Sequence, residues 1–485
     1  MLQADAQLYL DKQHRTNFNI KQQKGRAGET ACPFSVKGKI VLKILIPVDS
    51  VVSRLCGTQK TTPGTELRRS RFFVSVPCEE GTLLYHTLTG ELRLLTKNET
   101  LEQHQTELTA AWYYVPNNWD EVRYARRLRS ILAAASMHGK DKTAFVILPT
   151  TDCNARCYYC FERGVKHLTM TAETAKDVAE YIICSCGGKR VSIHWFGGEP
   201  LYNKEAIDII CAGLREHEID FSSRMTSNAY YLDAKTSLRA KKDWHLNQVQ
   251  ITLDGTEKVY NRIKSYRNQD DNPFERVLTN IGGALDAGIR VIARLNMDAG
   301  NADDLFVLVD QLGSRFRDRA GFSAIVVILR EVAGKICRFP TEQDAIKHCT
   351  ALYKKIQEYG FSLETPELSG KLIVNKCIAD NDCAEVILPD GSIAKCEHVN
   401  CAGTVGSIYS EKRDEKEILA WKEPAHFSEC EECALLPRCG ILKRCEWVKN
   451  GCAATTRIMS MRSLEKQIQQ SYNKWKSESE KALLS

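Results

Sequence analysis

A chain of 485 residues is too long for one ordinary hydrophobic core, so its length predicts about two to four domains. Hydrophobic residues at 43% and charged residues at 26% are those of a globular protein, and a net charge of +6 is too small for a dedicated nucleic-acid binder. The first 26 residues lack a signal-peptide core and no stretch approaches the roughly 20 apolar residues that cross a bilayer, which predicts a cytoplasmic protein without a membrane partner.

In a reducing compartment the 20 cysteines are expected to bind metal rather than to pair as disulfides. Three stand at Cys153, Cys157 and Cys160, and nine lie between Cys377 and Cys452. The other eight, Cys32, Cys56, Cys78, Cys184, Cys186, Cys211, Cys337 and Cys349, read as small buried hydrophobes or incidental thiols.

Residues 1–37 are polar without periodicity and predict an N-terminal arm. Over 38–140, strand-like runs at Lys39–Pro47, Arg71–Val76, Thr82–Thr87 and Glu91–Leu95 predict a small sheet, the last two joined through Leu88-Thr89-Gly90. A helix follows, with Asn117 or Asn118 as its expected cap and Val122, Ala125, Leu128 and Leu132 on one face. From 141 to 335, short apolar strands starting at Ala144, Val191, Phe221, Val249, Arg290 and Ala324 alternate with helices. Thr171–Cys186 is stopped by Gly187-Gly188, and Phe274–Ala287 by Gly288. Six βα repeats predict an α/β fold, a partial (β/α)6 barrel with its ligand site at the C-terminal ends of the strands. A bridging region at 336–375 holds a helix from Thr341 to Tyr359, before a cysteine-rich domain at 376–460 and a terminal helix or tail at 461–485.

Polar motifs fall at the predicted strand ends. Cys153-x3-Cys157-x2-Cys160 follows the first strand. Three soft thiolates on a 4Fe-4S cubane leave one iron open, whereas structural zinc takes four closed ligands and usually pairs CxxC with a distant partner pair. Trp195-Phe-Gly197-Gly198-Glu199-Pro200 follows the second strand; glycines let backbone approach a ligand, and a carboxylate can meet an ammonium. Thr226-Ser227-Asn228 ends the third strand, Asp254-Gly255 the fourth, and Asn296 the fifth. Asp254 faces the cavity or caps the next helix.

The CxxxCxxC spacing with Tyr159 before its last cysteine resembles the signature of radical S-adenosylmethionine (SAM) enzymes. The resemblance implies that SAM chelates the open iron and is cleaved reductively to a 5'-deoxyadenosyl radical. It further implies that Gly197, Gly198 and Glu199, matching the family's GGEP, hold the SAM amine. Thr226, Ser227 and Asn228, resembling T-N-G, would contact its carboxylate and ribose, with Ala229 in place of the usual glycine. Asn296 is a further cofactor candidate, and Asp254, matching the family's S-L-D-G, a catalytic one.

Cys377-x5-Cys383-x7-Gly391-x4-Cys396 and Cys430-x2-Cys433-x5-Cys439-x5-Cys445-x6-Cys452 resemble the SPASM extension, which carries two auxiliary 4Fe-4S clusters. The family's interleaved pattern would put Cys377, Cys383, Cys396 and Cys445 on one cluster and Cys430, Cys433, Cys439 and Cys452 on the other. The spacing of Cys439 and Cys445 departs from the family's, leaving Cys401 as a substitute for Cys445. With the SAM-binding cluster, three 4Fe-4S clusters are expected. Glu397, directly after Cys396, resembles the general base of sulfatase maturation or serves as an ordinary neighbour of the ligands.

The strand-rich unit at 38–140 resembles the winged-helix RRE domain, in which the leader of a ribosomal precursor peptide adds a strand to a sheet edge. Together these resemblances imply a peptide maturase that installs an intramolecular thioether in a precursor peptide, with flavodoxin or ferredoxin as reductant. An anaerobic sulfatase-maturing enzyme, which would form formylglycine, and a metal-stabilised binding scaffold without turnover are the alternatives.

Overall fold

A computed structural model describes residues 42–136, 141–267, 272–329, 338–363, 367–374, 376–398, 403–448 and 451–484. The predicted N-terminal arm, Cys32, Cys337 and Cys401 lie outside the described residues. The chain forms two compact units, one of Met1–His138, Thr365–Cys377 and Pro424–Ser485, the other of Gly139–Glu364 and Ile378–Glu423.

The first unit is built on a four-stranded antiparallel sheet. Its strands are β1 (Lys43–Ile46), β3 (Phe73–Cys78), β4 (Gly81–His86) and β5 (Leu92–Thr96), in the order β1-β5-β4-β3. A separate pair joins β2 (Leu67–Arg69) to β6 (Tyr114–Pro116). Along β4 successive side chains alternate between faces, as a pleated strand requires. Leu83 and Tyr85 join Val74, Leu92 and Leu94 in one core, while Leu84 joins Phe73, Leu95, Leu108 and Tyr113 in another. The first core is closed by the helix Ala454–Leu484, whose Leu464, Ile468 and Tyr472 recur every fourth residue and so share one side. The sequence predicts a terminal helix or tail over 461–485 but not its partner, which lies several hundred residues away; the helix starts earlier, at Ala454.

The helix predicted after Asn117-Asn118 runs from Glu121 to Ser136. Its expected cap is corrected to Asp120, whose Oδ1 accepts the Arg123 N–H at 2.9 Å. Glu121 turns inward and accepts from Ser70 and Arg68. His86 is buried between Ser70 Oγ at 3.1 Å and Thr89 Oγ1 at 3.2 Å. Burial and nearby Arg438 hold it down to about 3, so the ring is neutral.

The second unit holds the parallel strands β7 (Ala144–Ile147), β8 (Val191–Trp195), β9 (Phe221–Ser227), β10 (Leu246–Leu253), β11 (Arg290–Met297) and β12 (Phe322–Ile328). Helices alternate with them, giving an α/β fold with a mostly parallel sheet, as the βα rhythm predicts. The helix Ala172–Ser185 is capped by Thr171, and Glu342–Glu358 carries a full capping box from Thr341 and Asp344. One addition escaped the sequence. β13 (Ala384–Ile387), inside the cysteine-rich segment, pairs in parallel with β7 and extends the sheet through β14 (Ser392–Ala394) and β15 (Thr404–Ser407). Its run is four residues long and reads as loop between cysteines; only the free edge of β7 makes it a strand. Among the described residues no helix is long and apolar enough to cross a membrane.

Candidate active site

The C-terminal ends of β7 to β11 bring the sequence motifs into one hydrogen-bonded assembly. After β7 the chain turns through Asp152 into the cysteine loop. Gly197 and Gly198, after β8, lie against that turn: a Cβ on Gly197 would meet Thr150 O at 2.3 Å, and one on Gly198 would meet Asp152 O at 2.3 Å. Gly197 also has φ +106, a conformation L side chains rarely adopt. The glycines are thus needed where two backbones touch. Glu199 is fully buried. Its Oε1 accepts from Ser227 Oγ at 2.7 Å and Leu201 N at 3.1 Å, and its Oε2 from Asn228 N at 2.7 Å. Burial pushes its carboxyl up to about 6 against these donors.

Asn228 carries the link onward, donating Nδ2 to Asn154 Oδ1 at 2.7 Å and toward Cys153 Sγ at 3.8 Å. Thr226 Oγ1 meets His194 Nε2 at 3.0 Å. Burial and Arg224 hold His194 well below its ordinary range, so it enters this contact neutral. Ala229, where the resemblance expects glycine, has φ +60 and is buried. The left-handed turn is therefore kept without its usual residue.

Asp254 does not cap the helix Glu257–Lys264. Thr256 takes the cap position, and its N–H is met by Asp304 instead. Asp254 is fully buried, with Tyr159 OH 2.9 Å from both its oxygens, Asn296 Nδ2 3.0 Å from Oδ1 and Lys264 Nζ 2.9 Å from Oδ2. Lys264 Nζ also donates to Thr252 and, at 3.2 Å, to Tyr159 OH, while its carbonyl accepts the Arg156 N–H at 2.8 Å. Arg294 lies alongside, donating Nε to Asn296 Oδ1 at 2.9 Å, and feels both Tyr159 and Asp254. On the outer side Arg267 bonds Asp152 at 2.8 Å and takes the Asn154 carbonyl through its N–H. Lys264 and Arg294 are site residues that the motifs did not single out; a lysine on an amphipathic helix ordinarily belongs to the solvated face.

The three loop cysteines lie within electrostatic range of one another. Burial raises all three thiols, Cys160 up to about 12, while the Lys264 ammonium favours the Cys157 thiolate. Cys153 Sγ also accepts the Ala155 N–H at 3.3 Å. Shielded thiols that resist ionisation, supplied with N–H donors and a nearby ammonium, fit a metal centre whose charge replaces their protons. Among the described residues no three His, Cys, Asp or Glu side chains are placed to hold a single ion. A cubane asks for no such convergence, because each thiolate takes a different iron.

In the cysteine-rich segment Cys383 sits at the start of β7, its carbonyl accepting the N–H groups of Thr143 and Ala144. Cys396 Sγ accepts the His398 N–H at 3.5 Å, and the His398 ring lies 4.2 Å from that of Phe161, the residue after Cys160. This places Glu397 between Cys396 and a side chain packed on the cysteine loop. Cys433 feels Cys430 and Cys452, and Cys439 feels Cys433 and Cys430, so these four thiols are neighbours. Cys377 and Cys445 are half-buried.

Residues 147–307 match the radical SAM superfamily. It is 26% identical over 190 residues to a GTP 3',8-cyclase of Rhodopirellula baltica, covering 38% of this chain and 50% of that protein. It is 26% identical over 234 residues to the radical SAM cyclopropyl synthase TigE of Paramaledivibacter caminithermalis, covering 40% and 49%. The chain spans about half the length of the curated relatives it matches. Among solved structures, native anSMEcpe with bound AdoMet and Kp18Cys peptide superposes with a TM-score of 0.53 at 17% identity, covering 69% of this chain and 99% of that one. Streptococcus suis SuiB bound to precursor peptide SuiA gives 0.47 at 15%, covering 80% and 95%. At these identities the likeness to anSMEcpe is one of fold.

Proposed function

We propose that the chain is a radical SAM peptide maturase that installs an intramolecular crosslink, a cysteine thioether, in a ribosomally made precursor peptide. The observation that carries this reading is the convergence of Cys153, Cys157 and Cys160 with the Gly197-Gly198-Glu199, Thr226-Ser227-Asn228 and Asp254–Asn296 groups at one end of a parallel sheet. A 4Fe-4S cluster on the three cysteines, SAM bound to it and two auxiliary clusters would supply the chemistry: a hydrogen atom from a substrate carbon would end in the product 5'-deoxyadenosine, having been taken by the 5'-deoxyadenosyl radical, and carbon–sulfur bond formation would release one proton from the substrate thiol and one electron to an auxiliary cluster.

The chain's own residues bind and orient. Gly197, Gly198 and Glu199 would shape the side of the cavity that meets the SAM amine; Thr226, Ser227, Asn228 and Asn296 would shape the side that meets its carboxylate and ribose. Cys430, Cys433, Cys439 and Cys452 would hold one auxiliary cluster, with Cys377, Cys383, Cys396 and Cys445 as the ligands of the other. Glu397 would accept a proton beside Cys396. The sheet of the first unit, whose outer strands are β1 and β3, offers edges to which a leader peptide can add a strand. A small reductant such as flavodoxin or ferredoxin would deliver electrons.

The test is co-expression with short cysteine-rich reading frames adjacent to the gene, followed by mass spectrometry. A thioether appears as a peptide lighter by two hydrogen atoms, with a cysteine that no longer alkylates. A product that instead captures a hydrazine, as an aldehyde does, would replace this reading with formylglycine formation. No change in any peptide while SAM is cleaved would remove the peptide substrate.

A further inference from the structure

The cysteine loop rests on charged groups that have no solvent. Lys264 is 2% exposed and Asp254 0%, and their side chains meet at 2.9 Å. Tyr159, directly before Cys160, is clasped by both: its hydroxyl donates to Asp254 and accepts from Lys264. The Lys264 main chain holds the same loop at Arg156. An uncompensated charge here would be costly, and replacing such a pair by apolar groups is often neutral or stabilising, so stability alone does not account for its presence. Arg294 lies beside Asp254, and the buried carboxyls of Glu199 and Glu162 lie within electrostatic range of Cys153 and Cys160. A buried cation favours addition of an electron to a neighbouring anionic cluster, and a buried anion opposes it.

Building on the radical SAM reading, we infer that Lys264 and Asp254 are positioning residues that hold the Cys157–Cys160 turn through Tyr159, and whose opposite charges set how readily a cluster on that loop accepts an electron. The step is a one-electron reduction by an external low-potential donor; no bond breaks and no proton moves. Lys264 makes reduction easier and Asp254 makes it harder.

The test uses the reconstituted full chain, with a dithionite titration followed by electron paramagnetic resonance. The relevant cluster is identified as the signal that changes when SAM is added. Lys264→Gln is expected to lower the ratio of reduced to oxidised cluster at a fixed potential about tenfold, a shift of about 59 mV for one electron, and Asp254→Asn to raise it by a similar factor. The double variant should return to within about threefold of the starting protein, and Lys264→Arg should leave the potential unchanged. A purely structural role would move the single variants in the same direction or not at all, and either result overturns the inference. Should Lys264→Gln lose the cluster, a rise in Asp254→Asn together with an unchanged Lys264→Arg sustains it, and any other pair of results refutes it. A starting protein with no SAM-sensitive signal would count against the radical SAM reading itself, a separate outcome.

Discussion

Ala229 shows how a single residue can carry a family's backbone without the family's side chain. A left-handed conformation costs an L residue about 1–2 kcal/mol, whereas burying the methyl recovers about 0.8 kcal/mol. Ala229→Gly should therefore be nearly neutral, within about 0.5 kcal/mol, as relief of strain offsets the lost methyl and the added freedom of the unfolded chain. Ala175→Gly, at an equally buried helical alanine, has no strain to relieve and should cost about 1.5 kcal/mol. Urea midpoints compare the two; equal losses would show that Ala229 is unstrained. His86 gives a residue-scale dependence on pH. It stays neutral in the folded chain down to about 3, whereas the unfolded chain protonates below the ordinary 6.5, so its contribution is complete above about 6.5 and declines as the pH falls toward 3. The slope is at most about 1.4 kcal/mol per pH unit. His86→Gln should flatten the fall in urea midpoint between pH 7 and pH 5, and an unchanged fall would contradict the assignment.

At the scale of elements, what the sequence reveals depends on how local the cause is. The starts at Ala144, Val191, Phe221 and Arg290 are legible because their patterns are complete within a few residues, and the caps at Thr171 and Thr341 because a cap is a local hydrogen bond. β10 and β12 begin slightly earlier than their apolar runs suggest, at Leu246 and Phe322, since pairing with β9 and β11 extends them past the pattern. The motif residues could be found by spacing, but Lys264 could not, because nothing near it in the chain announces Asp254 and Tyr159 as its partners. β13, and the packing of the terminal helix Ala454–Leu484 on the sheet, were hidden for the same reason. That helix gives a direct prediction. Ile468 is fully buried among Val74, Leu83, Tyr85 and Leu464, so Ile468→Ala should cost about 2–4 kcal/mol in chemical denaturation. A loss under about 0.5 kcal/mol would show that the helix does not close the sheet. Leader binding is accordingly best measured on the full chain, since residues 38–140 alone would expose that face.

For the whole molecule, both the proposed maturation and the charge pair depend on a SAM-cleaving cluster at Cys153, Cys157 and Cys160. Three cubanes would bring about twelve irons per chain after anaerobic reconstitution, and the triple variant Cys153→Ala, Cys157→Ala, Cys160→Ala should keep about eight of them. The decisive measurement is 5'-deoxyadenosine released from SAM under dithionite by the two proteins side by side. The unaltered chain should release it and the triple variant should release none while retaining its other irons. Release by the triple variant at the unaltered rate would contradict the assignment of this loop as the site of SAM cleavage.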